Sequence, residues 1–323
     1  MARPLLAVQG LKTHFHTFAG VIKAVDGVDF ALGQGEIIGV VGESGGGKSV
    51  LGFSIIGLID PPGRIEAGEI WFDGRRLDNL GEEQLRKIRG KDITMIFQDP
   101  MTSLNPLYTI QDQMEEVMKL HDNLNASQRR QRCIQLLKEV GIPEPESRLK
   151  NYPHQFSGGM RQRVIIAIAL TLHPKLVIAD EPTTALDVTI QAQILKMMRG
   201  LVKDHHTSLM LITHDLAVVA EMADTIIVMY CGRIVERGRN SDIIRGSRHP
   251  YTRGLLASIP KMTGQQRRLQ QIPGMVPDVR SLPPGCSFAP RCEFAQDRCR
   301  AEAPRLIGVD AEHDVACHFP LER

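Results

Sequence analysis

The sequence lacks an apolar run long enough to cross a membrane. Its longest run, residues 164–172 with Thr171 counted as apolar, has nine residues, whereas a membrane-spanning helix takes about 20. The first residues, MARPLLAVQGLKTHF, contain no apolar stretch followed by a small-residue cleavage site, so no secretion signal is predicted. We therefore expect a cytoplasmic chain without a membrane span.

The sequence also lacks an excess of charge of either sign. Its 39 Lys and Arg residues offset 37 Asp and Glu residues, which leaves a net charge of +2. This balance argues against a generic nucleic-acid binder, because such proteins use surplus cations to displace counterions from phosphates. The 42% hydrophobic content of 323 residues suits one large or two modest cores and excludes a disordered or fibrous chain.

Cysteine is scarce along most of the chain and concentrated near its end. Cys133 and Cys231 stand alone and are predicted to be core or surface thiols, while the other four lie within residues 286–317. Residues 246–285 carry six prolines and the polar run GQQRRLQQ, which is typical of a linker with short helical pieces. The pattern predicts a main domain of residues 1–245 and a C-terminal extension of residues 246–323 that forms a small, irregular, cysteine-rich module.

Hydrophobic periodicity predicts an α/β fold for the main domain. Bare apolar runs of strand length are typical of a parallel sheet buried on both faces, and they cover residues 37–41, 93–97, 176–179, 209–212 and 226–230. Residues 5–32 and 68–77 alternate apolar and polar positions, which predicts an antiparallel sheet with one wet face. Helical spacing over residues 110–140 and 160–172 predicts a helical insertion at about residues 101–172.

Residues 42–49, GESGGGKS, lie between the apolar run EIIGVV and the helical segment LGFSIIGLI. They match the phosphate-binding loop pattern G-x-x-x-x-G-K-[ST] in its strand-to-helix context. The glycines let consecutive N–H groups curl around phosphate oxygens, Lys48 adds a positive charge, and Ser49 offers a hydroxyl to Mg²⁺. The predicted nucleotide-phosphate site is Gly42, Glu43, Ser44, Gly45, Gly46, Gly47, Lys48 and Ser49. An ordinary glycine-rich turn is the alternative.

Asp180 and Glu181 follow the apolar run at residues 176–179. This position is the carboxyl end of a predicted central strand, where open α/β sheets bind ligands. Asp180 is therefore a candidate Mg²⁺ ligand, and Glu181 is the candidate for polarising an attacking water in phosphoryl transfer. The alternative is a pair of solvated loop carboxylates.

Four further motifs resemble those of the ABC ATPases. Residues 156–160 (FSGGM) resemble the signature motif, Gln98 the Q-loop, residues 185–187 (ALD) the D-loop, and His214 in the sequence THD the switch histidine. The resemblance covers residues 1–245 and implies a P-loop NTPase of the ABC-ATPase fold. That fold combines a RecA-like parallel sheet core, an antiparallel β subdomain and an α-helical subdomain.

The ABC resemblance also implies how the site residues act. Two ATP molecules lie between two ATPase subunits, and the signature of one closes on the nucleotide held by the other. Implied catalytic residues are Gln98, Glu181 and His214; implied Mg²⁺ ligands are Ser49, Gln98 and Asp180; implied contacts across the dimer are Ser157, Gly158, Gly159, Met160 and Asp187. Phe15 matches the aromatic that stacks on adenine, with Phe18 as a rival, and Met160 departs from the usual Gln.

The signature motif also has a physical basis that does not depend on the resemblance. Ser157, Gly158 and Gly159 open a predicted helix and so present unpaired N–H groups and a positive dipole end, which attract an anion. A simple helix cap is the alternative.

Longer segments resemble the D-type ATPase subunit of bacterial dipeptide and oligopeptide importers: residues 95–110, 248–260, 272–277 and 283–299. This implies an ATPase that uses ATP and Mg²⁺ to power peptide uptake. The ATPase would be peripheral on the cytoplasmic face of the inner membrane. Its implied partners are a second ATPase, two permeases and an extracytoplasmic peptide-binding protein, with no nucleic acid. Residues 99–108 would touch a permease coupling helix.

The four C-terminal cysteines follow the pattern C-x5-C-x6-C-x17-C. The spacing is looser than that of ordinary zinc sites, and a reducing cytoplasm disfavours disulfides, which leaves an iron–sulfur cluster, zinc or free thiols. The peptide-importer resemblance implies a [4Fe–4S] cluster at Cys286, Cys292, Cys299 and Cys317. We expect such a cluster to fasten the tail without affecting nucleotide binding, and Arg291, Arg298 and Arg300 to be ordinary surface residues.

Two alternative functions follow from the same motifs. Related importers carry glutathione, nickel or antimicrobial peptides, and an ATPase subunit that never touches the cargo does not distinguish them. A soluble ABC ATPase that acts on nucleic acid or the ribosome usually has a long coiled-coil insertion or two cassettes in one chain, and neither is present in this sequence.

Overall fold

The structure, a computed structural model, describes residues 3–99, 103–184, 186–259 and 271–322. Two compact units divide the chain: Met1–Gly33, Ile37–Asn79 and Ile212–Arg323 form the first, and Gln34–Glu36 and Leu80–Leu211 form the second. Ala185 of the D-loop, residues 100–102 after the Q-loop and residues 260–270 of the predicted linker lie outside the described ranges. Among the helices of those ranges, none is long and apolar enough to cross a bilayer.

The strands of the described ranges are numbered in chain order. They are β1 (Leu6–Thr17), β2 (Gly20–Leu32), β3 (Ile37–Val41), β4 (Gly63–Phe72), β5 (Arg75–Arg76), β6 (Ile93–Ile96), β7 (Leu176–Asp180), β8 (Ser208–Thr213), β9 (Thr225–Tyr230), β10 (Arg233–Arg239), β11 (Ile307–Asp310) and β12 (His313–Val315).

The helices are numbered in the same way. They are α1 (Lys48–Ile55), α2 (Glu82–Arg86), α3 (Ile110–His121), α4 (Ala126–Glu139), α5 (Pro145–Arg148), α6 (Gly158–Ala169), α7 (Val188–Asp204), α8 (Leu216–Met222), α9 (Asn240–Gly246), α10 (Pro250–Ala257) and α11 (Asp297–Ala301), with short 3₁₀ turns at Pro153–Gln155 and Ala289–Arg291.

An antiparallel sheet in the first unit has the order β2-β1-β4-β5. Val28, Phe30 and Leu32 of β2 are buried and alternate with exposed Asp29 and Ala31, because successive side chains of a strand point to opposite faces. The predicted antiparallel sheet with one wet face is confirmed, although β4 begins five residues earlier, at Gly63 rather than Gly68.

A second set of strands in the first unit has the order β11-β12-β10-β9-β3. β3 and β9 are parallel, and all five residues of β3 are buried, as the bare apolar run predicts. β10 and β12 continue the sheet in antiparallel pairs. The sequence did not predict β10, β11 or β12. The expectation of an irregular C-terminal module is wrong for β11 and β12, which pair through β10 with the sheet that contains β3.

A buried hydrogen-bond cluster around Glu236 attaches the C-terminal segment to β10. The carboxylate of Glu236 accepts hydrogen bonds from the N–H groups of Arg248 (2.6 Å) and His249 (3.1 Å) and lies 2.8 Å from Nε2 of His313. The side chains of Glu236 and His313 are both fully buried. A buried carboxylate is stable only when its oxygens are paired, and these partners meet that requirement.

The second unit contains the predicted strands β6 and β7 and the region predicted as a helical insertion. β6 and β7 pair in parallel, and helices α3 to α6 lie within the predicted residues 101–172. Thr109 and Asn125 cap α3 and α4, each in a capping box that satisfies N–H groups at the helix start. The region predicted as a helical insertion therefore contains four helices among its described residues.

Candidate nucleotide-binding site

The phosphate-binding loop connects β3 to α1, which is the predicted strand-to-helix context. Gly47 is the N-cap of α1 and has no side chain, so no capping side chain competes with an anion at this helix start. Nζ of buried Lys48 donates hydrogen bonds to the carbonyl oxygens of Gly42 (2.8 Å) and Glu43 (3.0 Å). The lysine charge is thus held at the loop.

Two of the loop glycines are required by their close surroundings. Gly42 has φ of 153°, and a Cβ there would lie 2.2 Å from the carbonyl oxygen of Met229. Gly47 has φ of 90°, and a Cβ there would lie 1.9 Å from the carbonyl oxygen of Ala24. Any side chain at either position would collide with backbone, so the loop shape depends on glycine.

Gln98 and Glu181, predicted separately from the sequence, are in contact in the second unit. Nε2 of Gln98 donates to Oε2 of Glu181 at 3.1 Å, and Oγ1 of Thr184 donates to the same oxygen at 2.8 Å. Glu181 follows buried Asp180 at the end of β7 and has a left-handed backbone, with φ of 47°. Such backbone conformations are costly for non-glycine residues and recur at functional sites. The side chain of Glu181 therefore has a fixed orientation.

The signature and D-loop residues lie together in the second unit. Ser157 caps α6, and its Oγ accepts a hydrogen bond from the N–H of Met160 at 3.3 Å. A Cβ on Gly158 would lie 3.5 Å from Leu186, and one on Gly159 would lie 2.8 Å from Ile190 in α7.

Asp187 caps α7 by accepting from the N–H of Ile190 at 2.9 Å. Ser157, Gly158 and Asp187 are exposed.

The remaining predicted nucleotide contacts, His214 and Phe15, lie after β8 and in β1. His214 is exposed and follows β8 directly. Phe15 lies in β1 and is partly exposed beside Gly63, where a Cβ would approach its ring to 2.5 Å. Its rival Phe18 is fully exposed in the turn between β1 and β2.

The four C-terminal cysteines line one small cavity in the first unit, together with Phe288, Phe294 and Phe319. All six cysteines are free thiols, and Cys133 and Cys231 are buried. In the described residues, no group of three or more His, Cys, Asp or Glu side chains is arranged to hold a metal ion. Burial raises the pKa of the Cys286, Cys292 and Cys317 thiols, the last to about 11.

Arg291 was expected at the surface, and this expectation is wrong. Its side chain is only 4% exposed and forms a two-point ion pair with Glu43 of the phosphate-binding loop, at 2.6 and 3.0 Å. The prediction is confirmed for Arg298 and Arg300, which are 60% and 64% exposed. The N–H of Glu43 also donates to the hydroxyl of Tyr251 at 2.8 Å. The sequence carried no signal for these contacts, because 248 and 208 positions separate the partners.

Two family models match the chain. Residues 25–184 match the ABC transporter model, and residues 235–299 match the model of the oligopeptide/dipeptide transporter C-terminal region. Tyr251 and Arg291 lie within the residues that the second model matches.

Similar proteins cover nearly the whole chain. The dipeptide transport ATP-binding protein DppD of Escherichia coli (strain K12) is 51% identical over 318 residues, which are 98% of this chain and 97% of that protein. The oligopeptide transport ATP-binding protein AppD of Bacillus subtilis (strain 168) is 51% identical over 314 residues, 97% of this chain and 96% of that protein.

Solved structures confirm the ABC ATPase fold. The ATP-binding cassette MJ0796, in a dimeric post-hydrolysis state bound to ADP and Pi, matches with a TM-score of 0.66 and 27% identity over 73% of this chain and 98% of that one. The protein cbiO1 from Clostridium perfringens, part of the ABC transporter complex cbiONQ, matches with a TM-score of 0.65 and 28% identity over 76% of this chain and 92% of that one. The predicted ABC-type ATPase is confirmed. The chain belongs to the family of ABC transporter ATP-binding proteins of the dipeptide and oligopeptide transport type.

Proposed function

We propose that this chain is the ATP-hydrolysing subunit of an importer for dipeptides or oligopeptides. The observation that carries the proposal is the full-length similarity to dipeptide and oligopeptide transport ATP-binding proteins, which includes the C-terminal segment as well as the ATPase motifs. The chain contributes an ABC ATPase domain, residues 1–245, and an extension, residues 246–323.

In this proposal the phosphate-binding loop, residues 42–49, holds the phosphates of ATP through its N–H groups and the charge of Lys48. Ser49, Gln98 and Asp180 offer hydroxyl, amide and carboxylate oxygens, the ligand types that suit Mg²⁺. The metal ion, when bound, neutralises charge on the transferred phosphoryl group. Phe15 supports the adenine ring.

Glu181 is the proposed group that polarises the attacking water. Its contacts with Gln98 and Thr184 support this role, because a catalytic carboxylate must be oriented before it can accept a proton. The Gln98 amide donates a hydrogen bond to one carboxylate oxygen of Glu181 and so helps to orient the carboxylate. His214 completes the catalytic set.

We further propose that Ser157, Gly158, Gly159, Met160 and Asp187 act on ATP held by a second ATPase subunit. Support comes from their location at the starts of α6 and α7, where Ser157, Gly158 and Asp187 are exposed. The dimeric state of the similar cassette MJ0796 supports it as well. The exposed N-terminus of α6 offers N–H groups to an anion. The partner subunit is expected to be a different chain, so the dimer is a heterodimer.

The remaining partners are two permeases and an extracytoplasmic peptide-binding protein, and the chain is peripheral on the cytoplasmic face of the membrane. A groove beside α3 supports a permease contact at residues 103–108. Leu107 and Tyr108 on its wall are 81% and 56% exposed. Exposed apolar side chains next to a groove are typical of a protein-docking surface.

Cys286, Cys292, Cys299 and Cys317 are proposed to hold a [4Fe–4S] cluster. The donor set is suitable, because these four thiols line one cavity with aromatic walls and thiolates are the usual ligands of such clusters. A single ion needs its sulfur ligands within about 2.3 Å of one point, whereas a cluster spreads its ligands over several irons. The absence of a single-ion geometry among the described residues is thus compatible with a cluster.

Anaerobic purification tests the cluster. The expected protein is brown and contains about four irons per chain, and Cys299→Ser should lose them. Cys133→Ser is the matched control, because Cys133 is a buried thiol outside the cavity. Stoichiometric zinc without iron, or neither metal, would refute the cluster.

Uptake of labelled cargo tests the proposed transport function. Cells lacking the gene should lose uptake of a labelled dipeptide and regain it with the wild-type chain but not with Lys48→Ala. Labelled glutathione and nickel are measured in parallel. If deletion abolishes uptake of one of these and leaves dipeptide uptake unchanged, the chain serves a different cargo.

A further inference from the structure

The guanidinium of Arg291 is completely paired. Its Nη1 and Nη2 donate to the two carboxylate oxygens of Glu43, and Nη1 also donates to the hydroxyl of Tyr230 at 3.3 Å. Nε donates to the carbonyl of Pro273 at 3.0 Å and Nη2 to that of Ile272 at 3.4 Å. All five N–H donors of an arginine therefore have partners, which is a rigid arrangement that lysine cannot reproduce.

The C-terminal segment builds this arrangement. Arg291 ends a 3₁₀ turn, its N–H donates to the carbonyl of Phe288 at 2.9 Å, and Cys292 is the next residue. The Phe288 ring packs against Tyr230 and Tyr251, with ring centroids 5.4 Å from each. The position of Arg291 thus depends on the order of the segment that carries the four cysteines.

The target of Arg291 is the second residue of the phosphate-binding loop. Glu43 is held at its N–H by Tyr251, at its carboxylate by Arg291 and at its carbonyl by Lys48. A carboxylate in this loop opposes phosphate binding unless its charge is balanced, because like charges at short range repel strongly where water is partly excluded. Arg291 supplies the balancing charge.

We propose that Arg291 is a positioning residue for the phosphate-binding loop, which makes ATP affinity depend on the order of the cysteine-containing segment. Arg291 acts through Glu43 by neutralising its carboxylate and holding it away from the phosphate site. The inference rests on the proposed ATP binding by residues 42–49. It argues against the expectation that loss of the cluster leaves nucleotide binding unaffected.

The test measures the dissociation constant of MgATP for the full chain and three variants. Arg291→Ala should weaken binding about tenfold, the factor that corresponds to one charge-assisted contact. Adding Glu43→Gln to Arg291→Ala should restore affinity to within about twofold of wild type, because the unbalanced charge is gone. Arg280→Ala is the control, since Arg280 is an exposed arginine of the same segment, and it should bind normally.

Two outcomes would overturn the inference. One is that Arg291→Ala binds MgATP as tightly as Arg280→Ala. The other is that the double variant stays as weak as Arg291→Ala, because a purely structural loss would not be rescued by removing a charge. Absence of MgATP binding by the wild-type chain, or normal binding by Lys48→Ala, would instead refute the proposed nucleotide site.

A second experiment tests the link to the cysteines. Cys292→Ser, prepared anaerobically, should lose iron and bind MgATP several-fold more weakly than wild type. Adding Glu43→Gln should restore ATP affinity without restoring iron. If Cys292→Ser loses iron yet binds MgATP as wild type does, the cysteine-containing segment does not control the loop. A Cys292→Ser variant that retains its iron yet binds MgATP several-fold more weakly contradicts the link as well, because its segment is still fastened.

Discussion

At the scale of single residues, Lys48 and Glu181 are proposed to serve different steps, so their variants should fail differently. Lys48→Ala removes the buried charge at the loop and should weaken ATP binding itself. Glu181→Gln keeps the side-chain shape but is far less basic, so it should retain ATP while turnover falls about a hundredfold or more. ATP retention and hydrolysis in the assembled complex distinguish the two. Near-normal turnover by Glu181→Gln would mean that another group polarises the water.

Gly47 and Gly45 provide a matched test of the loop shape, since both have positive φ but only Gly47 faces backbone closely. Gly45→Ala should lower the free energy of unfolding by about 1 kcal/mol, the cost of a left-handed alanine. Gly47→Ala adds a collision with the carbonyl of Ala24 and should cost about 3 kcal/mol or more. Denaturant unfolding without nucleotide measures both, and equal losses would contradict the described packing.

Single-residue predictions were possible where a local pattern existed. The phosphate-binding loop is defined by eight consecutive residues and its flanking strand and helix, so its location was predictable. The pairing of Arg291 with Glu43 was not, because neither local pattern points to the other and 248 positions separate the two residues. Long-range ion pairs of this kind are determined by the folded chain.

At the scale of elements, Asp26 of β2 and Arg233 of β10 connect two sheets of the first unit. Oδ2 of Asp26 accepts from Nη2 of Arg233 at 2.6 Å. Although burial opposes ionisation, the hydrogen bond and charge of Arg233 hold the pKa of Asp26 below its usual value of 3.8. Asp26→Asn should lower the free energy of unfolding by about 1–2 kcal/mol at neutral pH, because Arg233 is partly exposed.

The acid dependence of this pair has a definite sign. Because the folded-state pKa of Asp26 is depressed, its contribution is complete above pH 3.8 and is lost as the pH falls through the folded-state value. The stability difference between wild type and Asp26→Asn should therefore shrink in acid. Asp297→Asn, at a fully exposed position, should show little difference at any pH. A difference between wild type and Asp26→Asn that stays constant down to pH 2 would contradict the ion pair.

The elements that the sequence predicted are those with an apolar pattern of their own. β3, β6, β7, β8 and β9 read as bare apolar runs, and the antiparallel sheet reads as alternation. β10 reads RIVERGR and buries Glu236. The strand therefore depends on the hydrogen bonds that Arg248, His249 and His313 form with this glutamate. Such a strand has no recognisable hydrophobic period, which is why the C-terminal sheet extension was missed.

At the scale of the whole molecule, the proposed arrangement requires a second ATPase subunit. The isolated chain should therefore hydrolyse ATP slowly, because its loop lacks a signature helix from another chain. Adding the partner ATPase and the permeases should raise turnover about a hundredfold, the order expected when positioned hydrogen-bond donors complete a catalytic site. A chain that remains monomeric during turnover and equals the full complex in rate would rule out the two-subunit site.

Peptide uptake by the purified complex in lipid vesicles reports directly on whether this chain powers import. Vesicles that contain this chain, its partner ATPase and the permeases are loaded with MgATP, and labelled dipeptide is added outside with the binding protein. Wild-type complex should accumulate peptide only with ATP inside, and complex with Glu181→Gln should lose about a hundredfold in rate. ATP-independent uptake, or equal uptake by the Glu181→Gln complex, would contradict the claim that this chain powers peptide import.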